Sequence, residues 1–268
     1  MRNWFLTFCF LPVFLCAHEG LYYSERIGNS FYSLKEESPD PVVTVSGEFI
    51  YMTQSLGWLP KKPSFSPGFR VFLERKGFFK SLDFGVFYTH WETENEKVFR
   101  IPILNRTRTI TNTESLHDLE FVALKSVSFL RFFAGVECLW QDHQMSVNQR
   151  WNVSNDYRSW GPLIGTSLEW KLHRFLSVKG TVSCSYLVVN AERVINKTVN
   201  FEEGFKSPKS KFVLALEGRV PLGKKERFLR LGAGYEVQYF WSQGIDRQFE
   251  WDKPLSLQGV TAQLSLDY

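Results

Sequence analysis

The 268-residue chain has only four cysteines, and two of them, Cys9 and Cys16, fall near its beginning. The other two, Cys138 and Cys184, show no CxxC or Cys/His spacing, so these two thiols make neither a disulfide framework nor a cysteine-based zinc site. No apolar run reaches the roughly 18–20 residues that a membrane helix requires. The longest, Trp4 to Cys16, is broken at Thr7 and Pro12. Neither sign of charge dominates: the net charge is +4 and the basic residues form no stripe, so a nucleic-acid partner is set aside. No Gly-x-Ser-x-Gly elbow, phosphate loop or His-rich motif occurs, and no cofactor is expected. What the chain does have is aromatic side chains, 25 Phe, 10 Tyr and 9 Trp. Hydrophobic residues make up 44% and charged ones 22%, which excludes a disordered chain.

Met1, Arg2 and Asn3 give a short positive start, the run to Cys16 is of signal-peptide length, and Ala17 supplies a small residue before His18. Residues 1–17 are therefore expected to be a signal peptide. Leu15 is not the small residue that lipidation of Cys16 wants. Residues 18–41, ending in Pro39, Asp40 and Pro41, lack alternation and are expected to form a periplasmic segment, a plug or an additional strand. Residues 42–268 are expected to form one domain.

That domain is built on period-two alternation. Leu130, Phe132, Ala134, Val136, Cys138 and Trp140 share one face, against Arg131, Phe133, Gly135, Glu137, Leu139 and Gln141 on the other. The same pattern predicts strands at about 43–53, 67–74, 81–91, 116–125, 129–141, 159–170, 175–189, 209–220, 227–241 and 256–268. Helical spacing would scatter these sets around all sides. Short connections take turns with long polar ones near 54–66, 92–115, 142–158, 190–208 and 242–255. That order predicts an all-β, transmembrane, up-and-down antiparallel barrel of about ten strands, with eight to twelve allowed.

Alternation alone does not say which face points out. In an outer-membrane barrel the apolar face meets lipid and the polar face lines the lumen. Here the polar face carries charges of both signs, and Arg70, Asp83, Glu120, Arg131, Glu137, Glu169, Lys179, Glu217, Arg219, Arg230 and Glu236 are the expected pore-lining set. Trp140, Trp160 and Trp241 end the apolar faces toward the long loops, while Trp170 and Tyr268 end them toward the short turns, as interface girdles do. Ten steps from Trp160 to Trp170 span roughly 34 Å at ~3.4 Å per residue. With a tilt near 40° this projects to roughly 26 Å, close to the ~25 Å apolar band of such barrels. A soluble barrel would explain the alternation but not two girdles.

The segment Ser159 to Leu172, with its Gly161-Pro162 pair, running on into Phe175 to Gly180, resembles the central signature of the pore-forming major outer membrane proteins of Legionella type, which have relatives in chlamydia-like bacteria. Val45 to Tyr51 and Ser256 to Tyr268 resemble the first and last strands of that family. The resemblance implies a porin-like protein of the bacterial outer membrane. Its expected partners are membrane lipid, lipopolysaccharide and, through the C-terminal strand, the assembly machinery. A homo-oligomer is left open.

The function expected on this basis is a narrow passive channel for ions and small solutes, with no enzymatic activity. Two alternatives stand beside it. One is a non-conducting barrel whose surface loops, such as 92–115, act in adhesion or host contact. The other is a surface protease using rim residues His90, Glu92, His117, Asp118, Asp142 and His143, since a His/Asp pair suits general-base work. Neighbouring residues on a strand, however, point to opposite faces.

Overall fold

A computed structural model of the protein describes residues 43–56, 65–79, 82–101, 106–147, 151–196, 198–222, 227–241 and 255–267. The expected signal peptide, the 18–41 segment and Tyr268 lie outside the described residues. Ten strands follow one another: β1 (Val43–Leu56), β2 (Phe65–Phe79), β3 (Leu82–Ile101), β4 (Arg106–Val127), β5 (Leu130–Val147), β6 (Trp151–His173), β7 (Leu176–Ile195), β8 (Thr198–Pro221), β9 (Phe228–Phe240) and β10 (Leu255–Asp267). Each pairs antiparallel with its sequence neighbour, and β1 pairs with β10 from Thr44↔Asp267 to Leu56↔Leu255, closing the barrel. Closure gives every strand two partners, so no row of backbone N–H and C=O groups is left open to lipid.

The period-two pattern sorts the side chains as an inverted protein requires. Val136 is 44% exposed, Ile164 43% and Leu231 51%, whereas Glu137 is 1% and Glu236 0% exposed. Aliphatic and aromatic residues therefore coat the outside and ionic ones look inward. Trp140, Trp160, Trp170 and Trp241 all stand on the outer surface. Compact turns join the strands at the short-loop end, including Ser128–Phe129 and Arg174–Phe175. Ser128 has φ 60° and Gly77 has φ 63°. Gly77 lies in an irregular stretch of the β2–β3 ladder, where its N–H donates to Asp83 Oδ1 at 3.0 Å. Glycine takes this left-handed backbone at no steric cost.

The segments expected as long loops at 92–115, 142–158 and 190–208 are mostly strand instead. β3 and β4 stay in register out to Ile101↔Arg106 and β5 and β6 to Val147↔Trp151, while β7 and β8 remain paired to Ile195↔Thr198 with a register shift between Arg193 and Val194. Their polar, Thr- and Asn-rich composition reads as loop because both faces of a hairpin beyond the membrane meet water, which erases the alternation that marks a strand at the bilayer. Asn196, with φ 49°, turns the β7–β8 hairpin, a conformation asparagine tolerates.

Candidate functional site

The lumen is the candidate site, and its side chains form tiers. At the short-turn mouth, Arg230 Nη2 lies 2.5 Å from Asp267 Oδ1, and its Nε donates to Oδ2 at 2.8 Å. Thr44 donates to the same carboxylate at 2.9 Å. Glu217 stands 3.6 Å from Lys179 and 4.0 Å from Arg230. Arg131 reaches from β5 to Glu74 at 2.8 Å and Asp83 at 2.9 Å. Arg219 stacks its guanidinium 3.6 Å from the centroid of Phe228. Glu169 is on the same inward phase but exposed, in register with Lys179 at the open end.

Midway up, Arg70 is bound on both sides. It contacts Glu48 at 2.7 Å and makes two bonds of 2.8 Å to Glu236, while its Nε donates to Thr89 at 2.9 Å. Gln238 donates to Glu236 at 2.6 Å. From β8, Lys211 reaches Glu120 at 2.7 Å, and Lys209 reaches both Asp118, at 2.7 Å, and Glu137. These lysines span the lumen from β8 to β4 and β5. The carboxylate atoms of Asp118, Glu120 and Glu137 lie within 4.8 Å of one another, and the two ammonium groups supply the positive charge that a metal ion would otherwise bring. A charge taken from water into a dry interior costs several kcal/mol unless it is paired and hydrogen-bonded. That is why each of these cations meets carboxylate. Between the tiers lies a cavity of about 130 Å³, bounded by Glu48, Arg70, Glu120, Arg131, Lys179 and Glu217 among others.

Directly above the lysine tier the lumen turns apolar. Ile50, Met52, Trp91, Leu116, Leu139, Leu187, Phe240, Leu255 and Leu257 point inward and pack together, none more than 4% exposed. Leu116 and Leu139 are each one inward position beyond Asp118 and Glu137 toward the long hairpins. Trp91 satisfies its indole N–H on the Ser66 carbonyl at 3.1 Å. Beyond this layer, and outside the lipid-crossing part of the strands, the rim is polar again. Arg193 donates to Asn155 Oδ1 at 2.8 Å, and Asn155 Nδ2 stands 3.2 Å from His143 Nδ1. Burial, helped by the Arg193 charge, holds the His143 imidazole down to a pKa of about 4.

All of the expected lining residues fall on the lumen phase, but most are locked in ion pairs rather than free at a wall. Sequence reasoning passed over Lys209, Lys211 and Asp267, and with them the cross-lumen lysine tier. The inward phase of β8 (Ser207, Lys209, Lys211, Val213) was the available signal. It also passed over the apolar layer, although Leu139 and Leu187 sit on the polar phase of their strands. Each rim pair is divided between the two faces of the wall. His117 is on the outer face while Asp118 is inside on Lys209; Asp142 points outward, 3.4 Å from Ser115 Oγ, while His143 points inward.

Residues 60–267 match the family model described as Legionella pneumophila major outer membrane protein precursor. The chain belongs to this family. It is thus a protein of the outer membrane, and its exposed apolar belt meets the lipid and lipopolysaccharide there. No curated protein matches the chain. Among solved structures, Neisserial surface protein A shows 11% identity over 84% of this chain and 97% of its own, with a TM-score of 0.38. The translocator domain of the autotransporter NalP from Neisseria meningitidis shows 8% identity over 94% and 97%, at 0.46. The outer membrane protease OmpT from Escherichia coli shows 8% over 85% and 93%, at 0.40.

Proposed function

We propose that this family member is a narrow passive channel for ions and small solutes, shut at the apolar layer in the conformation described. One observation carries the reading: among the described residues the inward apolar side chains pack together into a buried layer, over a cavity of about 130 Å³ lined with charges of both signs. An apolar ring excludes water when narrow and admits it when its side chains rotate aside, which is how dewetting gates work. No bond chemistry is part of this reading.

The test is planar-bilayer recording of the folded protein beside a Leu116→Ser/Leu257→Ser variant. We expect small, infrequent openings from the wild type and a conductance at least severalfold higher from the variant. Flat traces from both would favour the second reading, a non-conducting barrel that presents its hairpins to a host or partner. The observation on that side is the length of β3 to β8, which continue as paired strands well past the Trp140 and Trp160 girdle.

A further inference from the structure

Outside the lumen, one cluster has no part in the proposed channel. His90 on β3 and His117 on β4 stand directly opposite each other in register, both on the outer face. Their ring centroids are 4.6 Å apart at an interplanar angle of 36°. Tyr88, on the same face of β3, places its hydroxyl 2.9 Å from His117 Nδ1. Phe69 covers the other side of His90 at 5.3 Å between ring centroids. Among the described residues the enclosed His90 Nδ1 meets no hydrogen-bond partner. His117 is in register with Trp140 of the interface girdle, and Glu92 and Asp142 stand one outward position beyond His90 and Trp140. The pair is therefore at the water-facing edge of the lipid belt.

We propose that His90 and His117 form a two-imidazole surface site for a borderline divalent transition-metal ion, with Tyr88 as the residue that positions His117. Two nitrogens on one ion at ~2.0–2.1 Å stand about 3.3 Å apart in tetrahedral geometry. Imidazoles across a strand pair, with centroids 4.6 Å apart, come to that separation by side-chain rotation alone. When His117 donates its Nδ1–H to the Tyr88 oxygen, its Nε2 keeps a lone pair for the metal, the arrangement in which ligating histidines are usually held. Imidazole donors select copper, nickel and zinc over magnesium and calcium, and copper binds most tightly. Glu92 and Asp142 add negative charge beside the pair and attract cations to it. The site clips β3 to β4 and is independent of whether the lumen conducts.

The experiment is titration of the detergent-folded protein with Cu²⁺ and then Zn²⁺, followed by calorimetry and tryptophan fluorescence. Folding of each variant is checked by its heat-dependent gel shift. We expect one tight equivalent, with Cu²⁺ quenching the fluorescence of nearby Trp140, so that Trp140→Phe keeps the heat and loses most of the quench. His90→Gln and His117→Gln each weaken binding on the order of 100-fold. Tyr88→Phe weakens it about tenfold, as loss of an orienting partner does. His143→Gln, whose ring is inside the rim, leaves it unchanged. No tight equivalent in the wild type, or equal affinity in the wild type and both glutamine variants, overturns the proposal.

Discussion

Lys209 shows how much a single side chain decides in a dry lumen. It is 2% exposed at its side chain and holds Asp118 and Glu137 together from across the barrel. Lys209→Met leaves two buried carboxylates without their cation, and the expected loss is ~3–5 kcal/mol, the usual result of breaking a buried pair from one side. Adding Asp118→Asn and Glu137→Gln should recover most of it; urea unfolding followed by gel shift measures both. His143 sets a pH dependence. Unfolded, its imidazole takes a proton near pH 6.5; folded, near 4. Between those values the unfolded state binds more protons, so stability falls as pH drops from about 6.5 to about 4. His143→Gln should flatten that part of the profile, read by proteolysis of the β5–β6 hairpin. Gly161 is set by close approach: a Cβ there would stand 2.1 Å from the Tyr186 carbonyl oxygen of β7. Gly161→Val should therefore destabilise the barrel by at least ~2 kcal/mol or block its assembly in detergent refolding.

Among the elements, β6 explains its own sequence. The ladder to β7 pairs Trp160↔Val188 and Leu163↔Ser185 but skips Gly161 and Pro162. Proline has no N–H to give, and the glycine before it admits the neighbouring backbone. The Gly-Pro pair was legible as a family mark; its structural purpose was not, because a sequence does not show which strand comes close. The hairpins beyond the membrane carry an unexpected feature. Asp142, Asp156, Glu192 and Glu202 follow one another in register across β5, β6, β7 and β8. Like charges directly opposite are destabilising by a few tenths to about 1 kcal/mol per pair. Asp156→Asn, which sits between two of them, should stabilise these hairpins by up to about 1 kcal/mol at low salt, and less at high salt, in hydrogen-exchange measurements.

For the whole molecule, the inner wall below the apolar layer includes Glu48, Glu74, Asp83, Glu169, Glu217 and Asp267 besides the lysine-bound carboxylates. Acidic residues outnumber basic ones along it. Fixed negative charge concentrates cations, so open channels should show a reversal potential on the cation side in a salt gradient, and Glu169→Lys at the exposed mouth should reduce it. Anion preference in the wild type would contradict the proposed lining.

Strand number, inside-out polarity and membrane address follow from local information. A strand's two faces are written alternately along the chain, and each residue's solvent is set by its phase. The partners of Lys209, the meeting of Ile50 with Leu116 and Leu257, and the facing of His90 and His117 depend on the register and shear with which ten strands close. Those pairings join residues far apart in the chain across a circumference, a relation no local period encodes, so only the closed cylinder settled them.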